Sequence, residues 1–94
     1  GTVYVLWGHG ATGRALGRAL EAVGRRRAAI VEILPRRLGR RIAGAPVVRP
    51  EAIPAVRRGL PLVASVSGAF ARGEIRAWCG RLGLREDVDF WCAA

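Results

Sequence analysis

The stretch Gly8-His9-Gly10-Ala11-Thr12-Gly13 decides how the rest of this chain is interpreted. A short apolar run at 2–7 precedes it, and a segment of helical periodicity at 11–23 continues from it. Strand, glycine turn and helix, in that order and with G-x-G-x-x-G spacing, predict a dinucleotide-binding turn. The sequence therefore predicts the first half of a nucleotide-binding fold.

The three glycines of this turn have different physical tasks. The first permits the tight bend out of the strand, the second admits a pyrophosphate to the backbone, and the third allows close packing of helix on strand. The free N–H groups that open the helix then face the anion. We interpret His9 as a turn residue that faces solvent or a ligand phosphate, rather than as a general base. The predicted ligand-binding residues of the turn are Gly8, His9, Gly10, Ala11, Thr12 and Gly13.

Three residues outside the turn are predicted to share its site. Glu32 lies 19 residues beyond Gly13, and an acid about 20 residues on contacts the ribose hydroxyls in a Rossmann half. Ser67 and Gly68 follow the apolar run 60–66, whose carboxyl end belongs at the same rim of a parallel sheet. The alternative is that the turn is purely structural and binds nothing.

Apolar runs alternate with helical segments along the whole chain, which predicts an α/β sheet with right-handed crossovers. We expect one Rossmann-like, three-layer α/β/α domain over 1–94, with about five mostly parallel strands and helices on both faces. The predicted strands, in spatial order, are 46–49, 28–33, 2–7, 60–66 and 88–92, and the predicted helices are 11–23, 50–58 and 69–82. In helix 11–23 the predicted buried stripe is Leu16, Ala19, Leu20 and Val23.

The stretch 35–45 is predicted to be a basic, solvated loop. Its arginines Arg36, Arg37, Arg40 and Arg41 are crowded, and the alternative is that some of them bind a 2′-phosphate or diphosphate beside Glu32.

All 16 basic residues of the chain are arginine, and the formal net charge is +9. The absence of lysine indicates a GC-rich codon bias, which weakens any functional interpretation of this charge. Because arginine and aromatic residues do not alternate as they do on a base-stacking platform, we do not expect nucleic acid as a partner.

No apolar run reaches the roughly 18 residues of a membrane span. We expect the two cysteines, Cys79 and Cys92, to be buried inert thiols, and a cytoplasmic compartment fits them.

No catalytic or metal-binding constellation is visible, so no catalytic residue and no metal ligand are assigned and enzymatic activity stays open. The chain has one histidine, and its carboxylates are scattered. Trp7, Trp78 and Trp91 are expected in the core, with an interface to another domain or a second copy as the alternative. Because methionine is absent, we expect a domain excised from a longer protein, and the resemblance given next implies that it comes from the C-terminal part.

Four stretches together resemble a known family: 5–14, 30–48, Glu-Ile-Arg-Ala-Trp at 74–78 and Asp-Phe-Trp-Cys-Ala at 89–93. They look like the Rossmann-like C-terminal domain of some bacterial family-2 glycosyltransferases. The segment 30–48 is also similar to the N-terminal domains of sugar O-acyltransferases and of nucleotide-sugar dehydratases. The resemblance implies a nucleotide-binding or nucleotide-sugar-binding domain in glycan biosynthesis, with the catalytic domain of the glycosyltransferase upstream in the same chain.

Three functions remain open at this point. The first is an accessory module of a glycosyltransferase that binds a nucleotide-containing small molecule, either a nucleotide sugar or NAD(P). The second is a docking or homodimerisation module with a vestigial pocket. The third is the NAD(P)-binding half of an oxidoreductase.

Overall fold

The computed structural model describes residues 2–8, 10–33 and 38–93. Strands and helices alternate along them as the hydrophobic pattern predicts, with glycines at several helix ends. The strands are β1 (Val3–Trp7), β2 (Arg26–Val31), β3 (Arg41–Ile42), β4 (Ala45–Val48), β5 (Leu62–Ala64) and β6 (Phe90–Cys92). The α-helices are α1 (Ala11–Ala22), α2 (Ile53–Arg57) and α3 (Ala69–Arg81), and a 3₁₀ turn at Pro50–Ala52 leads into α2.

The strands form one sheet in the order β3-β4-β2-β1-β5-β6. Every pair is parallel except the antiparallel pair of β3 and β4. The central strand β1 pairs with β2 on one side and with β5 on the other, so that Trp7 lies between Val31 and Ala64. The predicted Rossmann-like α/β class and the predicted order of the five parallel strands are both confirmed.

The sixth strand lies inside the stretch that we predicted to be a loop at 35–45. Residues 41 and 42 pair with Pro46 and Ala45, and a two-residue turn joins the two strands. Ala43 (φ 51°) and Gly44 (φ 81°) both have positive φ in this turn, as a type I′ hairpin requires. The loop prediction for 41–42 is therefore wrong, because this pair of turn residues is not the Asn-Gly or Asp-Gly signal of such a hairpin.

One face of the sheet carries the large apolar core, under α2 and α3. Ile53 of α2 and Ile75 and Cys79 of α3 are at most 1% exposed and pack with residues of β1, β2, β5 and β6. The strand residues of this cluster are Val5, Trp7, Ala29, Val31, Leu62, Ala64 and Phe90. Burial of these side chains is the main stabilising contribution of this face.

The other face lies under α1 and is built differently. The buried residues of α1 are Gly13 and Gly17, whereas Ala19 and Val23 of the predicted stripe are exposed. The buried side of the helix is rotated toward its glycines because they allow the backbone to approach the sheet closely. The predicted stripe is therefore wrong in its orientation, and only its members Leu16 and Leu20 are partly buried.

A polar side chain occupies part of the space beside the glycines of α1. The side chain of Arg27 on β2 is 7% exposed, and its Nη2 lies 2.8 Å from Oε1 of Glu21. A Cβ atom at Gly17 would come within 2.7 Å of Nη1 of the same arginine. Burial raises the pKa of the neighbouring Tyr4 hydroxyl, and the positive charge of Arg27 partly offsets that rise.

The three tryptophans differ in their surroundings. Trp7 is 3% exposed and belongs to the core, as predicted, and Trp78 is partly buried with the Arg81 guanidinium 4.5 Å from its ring centre. Trp91, on the edge strand β6, is 37% exposed. Of the three, Trp91 is thus the one most accessible to a partner.

None of the helices in residues 2–8, 10–33 and 38–93 combines the length and the apolar character that crossing a bilayer requires.

Candidate functional site

The carboxyl ends of β1, β2 and β5 meet at one rim of the sheet, and backbone hydrogen bonds fix the segments that leave them. The N–H of Gly8 donates to the carbonyl of Val31 (3.1 Å), and the N–H of Ser65 donates to the carbonyl of Trp7 (2.9 Å). The N–H of Glu32 donates to the carbonyl of Val48 (2.9 Å). These bonds bring the glycine turn, the end of β2 and the end of β5 side by side.

Two glycines of the turn are required by the fold itself. Gly8 has a φ of +108°, and a Cβ there would lie 2.8 Å from the carbonyl oxygen of Ser65. A Cβ at Gly13 would lie 2.9 Å from the carbonyl carbon of Gly8 and would overlap its oxygen. The tight turn and the close helix contact predicted for these two positions are therefore present.

Gly10 is different, because a Cβ there would meet no heavy atom of the described residues within 4 Å, its two neighbours in the chain aside. It is the N-cap of α1 and its backbone is extended (φ −81°, ψ −167°). Its carbonyl accepts the first helical hydrogen bond, from the N–H of Arg14 at 2.9 Å. The glycine therefore leaves open space in front of the helix.

The N-terminus of α1 exposes hydrogen-bond donors toward that space. The first N–H groups of any α-helix have no partner within the helix. Among the described residues no side chain caps this end, and its first turn carries no acidic residue. The free N–H groups and the positive end of the helix dipole favour an anion here.

Two adjacent cavities flank Gly10. The first, of about 210 Å³, lies over the ends of β1 and β2 and is lined by Trp7, Gly8, Gly10, Val31, Glu32, Ile33 and Val66. The second, of about 350 Å³, lies between the start of α1 and the segment after β5, and is lined by Gly10, Ala11, Thr12, Ser65, Val66 and Ser67. The acid thus borders the more apolar cavity, and the helix N-terminus borders the other.

Most of the predicted site residues come together at this rim. Gly8, Gly10, Ala11, Thr12, Glu32 and Ser67 line one cavity or the other, and Gly13 packs directly beneath the turn. Gly68 begins α3 as its N-cap with a φ of 96° and lines neither cavity. His9, Arg36 and Arg37 lie outside the described residues, and Arg40 and Arg41 are exposed and line neither cavity.

Sequence reasoning missed five residues that line the cavities: Trp7, Val31, Ile33, Ser65 and Val66. Each is next to or near a predicted site residue at the end of a strand. The signal that could have found them is their position, since residues that immediately follow parallel strands face the ligand crevice.

Two observations concern metal binding and thiol chemistry among the described residues. No cluster of three or more His, Cys, Asp or Glu side chains among them could hold a metal ion. Cys79 is fully buried on α3, and burial raises the pKa of its thiol from about 9 to about 11, as expected for an inert thiol. The open space at Gly10, beside the helix N-terminus and with a cavity on either side, is suited to an anionic group that has a further group attached on each side.

Comparison with known proteins relates this fold to solved structures. No protein-family model matches the chain, and no curated protein matches it. The fold is similar to the crystal structure of RSP, a Rex-family repressor, with a TM-score of 0.70 at 20% identity over 98% of this chain and 44% of that one. It is also similar to RSP in complex with β-NADH, with a TM-score of 0.68 at 18% identity over 98% of this chain and 53% of that one.

A third structure is RSP in complex with β-NAD⁺ and operator DNA, with a TM-score of 0.67 at 19% identity over 97% of this chain and 49% of that one. The chain spans about half the length of the structures it matches. Because the matched repressor binds operator DNA, our expectation that nucleic acid is not a partner gains no support. The resemblance to a glycosyltransferase domain also gains none beyond the Rossmann-like fold.

Proposed function

We propose that this chain is a dinucleotide-binding domain whose ligand is NAD(H). One observation carries the proposal: Gly10 leaves open space in front of the N-terminus of α1, between two cavities at the carboxyl ends of the parallel strands. A pyrophosphate fits such a position because the helix N–H groups and dipole stabilise its charge. The two flanking cavities then accommodate the two halves of a dinucleotide.

Glu32 supports NAD(H) over NADP(H). Glu32 is the first residue after β2, and it lines the smaller cavity. A carboxylate at this position accepts hydrogen bonds from ribose hydroxyls, whereas it repels a 2′-phosphate. We therefore expect the adenosine half in the smaller cavity and the rest of the molecule beside the segment after β5.

The similar solved structures add weight, since two of them hold β-NADH or β-NAD⁺. They favour the NAD(P)-binding alternative over a nucleotide sugar. Bound NAD(H) supplies hydride chemistry, and the residues of this chain would bind and orient it. A nucleotide-sugar-binding accessory domain of a glycosyltransferase is the competing proposal that a ligand panel separates from this one.

The test is a titration with NADH, NAD⁺, NADPH and a UDP-sugar. Binding is monitored through the fluorescence of the tryptophans, of which Trp7 lines the smaller cavity. We expect NADH or NAD⁺ to bind, NADPH to bind at least tenfold more weakly, and the UDP-sugar not to compete. A response to the UDP-sugar alone would favour the glycosyltransferase alternative. A folded protein that responds to none of the four would contradict ligand binding.

Gly10→Ala sharpens the same test. The new methyl group projects into open space, so the fold is retained at a cost of about 1 kcal/mol or less for the poorer helix cap. The methyl would nevertheless lie in the path of the pyrophosphate, and NADH affinity should fall at least tenfold. Gly80→Ala, at an equally open position on α3, is the matched control and should bind as the wild type does. Equal binding by both variants would contradict the proposal.

A further inference from the structure

The residue that follows β5 carries an unused hydrogen-bonding group at the proposed site. Ser65 is 3% exposed, and its hydroxyl is buried without a hydrogen-bond partner among the described residues. Its backbone, in contrast, is engaged, since its N–H donates to Trp7. We propose that the Ser65 hydroxyl donates a hydrogen bond to a phosphoryl oxygen of the ligand at the N-terminus of α1, an inference that rests on the proposed function.

A buried hydroxyl without a partner is unusual in a native protein. Most buried polar side-chain atoms are hydrogen-bonded, and a buried donor or acceptor without a partner destabilises the folded state. Tyr4 and Arg57 also have such atoms, yet neither residue lines the two cavities at the strand ends. Ser65 is therefore the one of the three that a ligand at this rim can satisfy.

The position of Ser65 indicates which part of a ligand it meets. It lines the larger cavity together with Gly10, Ala11 and Thr12, where α1 begins. A serine side chain needs only one torsion to move its hydroxyl between staggered rotamers. From its position after β5, the Ser65 hydroxyl can turn into the cavity, opposite the N-terminus of α1.

The donors on both sides define the chemistry of the bound group. Helix N–H groups and a hydroxyl can all donate at once only to a group with several acceptor oxygens, and hydrogen bonds to a charged acceptor are the strong ones. A diphosphate satisfies both conditions, whereas a ribose or a base does not. Ser65 is thus a positioning residue for the diphosphate of the ligand.

The test compares Ser65→Ala with the wild type in titrations with NADH and ADP, and in denaturant unfolding without ligand. Removal of an unsatisfied hydroxyl should leave the unliganded protein at least as stable. Affinity for both ligands should fall about tenfold or more, the usual effect of losing a hydrogen bond to a charged group. The cysteine of Ser65→Cys is similar in volume but is a weaker hydrogen-bond donor. The affinity of this variant should lie between those of Ser65→Ala and the wild type.

Three results would overturn the inference while leaving NAD(H) binding by the wild type intact. In the first, Ser65→Ala binds ADP and NADH within twofold of the wild type. In the second, stability without ligand drops together with affinity, which would make the hydroxyl structural. In the third, only NADH affinity falls, which would place the contact outside the diphosphate. A wild type that binds neither ligand overturns the proposed function itself.

Discussion

The two faces of the sheet pack their helices by opposite means. Under α2 and α3, side chains such as Ile53 and Ile75 interdigitate with those of the strands. Under α1, the contact is made by the backbone at Gly13 and Gly17, with the guanidinium of Arg27 beside them. One face holds its helices through a large apolar core, whereas the other adds close backbone packing of α1 to buried strand side chains such as Leu6 and Ile30.

This difference separates stability from binding. The glycine face has the smaller apolar core, and it brings the start of α1 against β1 and the segment after β5, where both cavities lie. Because the backbone of α1 packs directly on the sheet, the N-terminus of this helix has little freedom to shift. The apolar face supplies the free energy of folding that keeps this arrangement in place.

The largest effect should come from the apolar face. Ile75→Ala removes a side chain that is 1% exposed and leaves a cavity beneath α3. The free energy of unfolding should fall by about 3 kcal/mol in a denaturant titration. Glu74→Ala, on the exposed side of the same helix, should change it by about 0.5 kcal/mol or less. Similar losses in both variants would mean that α3 is not anchored through its apolar side.

A smaller but diagnostic effect is expected on the glycine face. Gly13→Ala places a methyl group against the backbone of Gly8, which cannot move without lifting α1 from the sheet. Overpacking of this kind should lower the free energy of unfolding by about 2 kcal/mol. Gly17→Ala is the matched comparison and should lose less, since its Cβ meets the end of the Arg27 side chain and not backbone, and alanine favours a helix by about 1 kcal/mol. If the two variants are equally stable, the close approach at Gly13 is refuted.

The smallest effect, over the range from pH 8 to pH 10, concerns the buried thiol of Cys79. Its pKa is raised to about 11, so both folded and unfolded chains hold the proton below about pH 9. Above pH 9 the unfolded thiol ionises first, and stability should fall by about 1.4 kcal/mol per pH unit until about pH 11. Cys79→Ala should remove this part of the slope in unfolding titrations at pH 8, 9 and 10. An unchanged slope would show that the thiol does not contribute.

The sequence was informative where one pattern had one structural meaning. The glycine spacing predicted the turn, and the alternation of apolar runs with helical segments predicted the order of the parallel strands. It was less informative about ends: β2 was predicted at 28–33 and lies at Arg26–Val31, while β5 was predicted at 60–66 and lies at Leu62–Ala64. Apolar residues continue past the last ladder hydrogen bond because they pack on the core from loops, as Ile33 and Leu60 do.

Two further errors have a common origin in small residues. The apolar stripe of α1 was misplaced because hydrophobic periodicity assigns no weight to glycine, whereas the close packing predicted at Gly13 is present and Gly13 and Gly17 are the buried positions. The hairpin of β3 and β4 was missed because Ala43 rarely adopts the left-handed conformation that it has here. Ser65 was missed for a related reason. Serine is typical of loops, yet this residue is as buried as the core.

The open space at Gly10 also has an evolutionary consequence. Substitution at Gly8 or Gly13 disturbs the fold, so selection for a stable protein alone retains both glycines. The fold does not require glycine at position 10. Serine or aspartate there would cap α1 with a side-chain oxygen that glycine lacks. A lineage that no longer needs a ligand is free to replace it. Loss of glycine at position 10, with glycine kept at 8 and 13, would therefore mark descendants in which the site has lapsed.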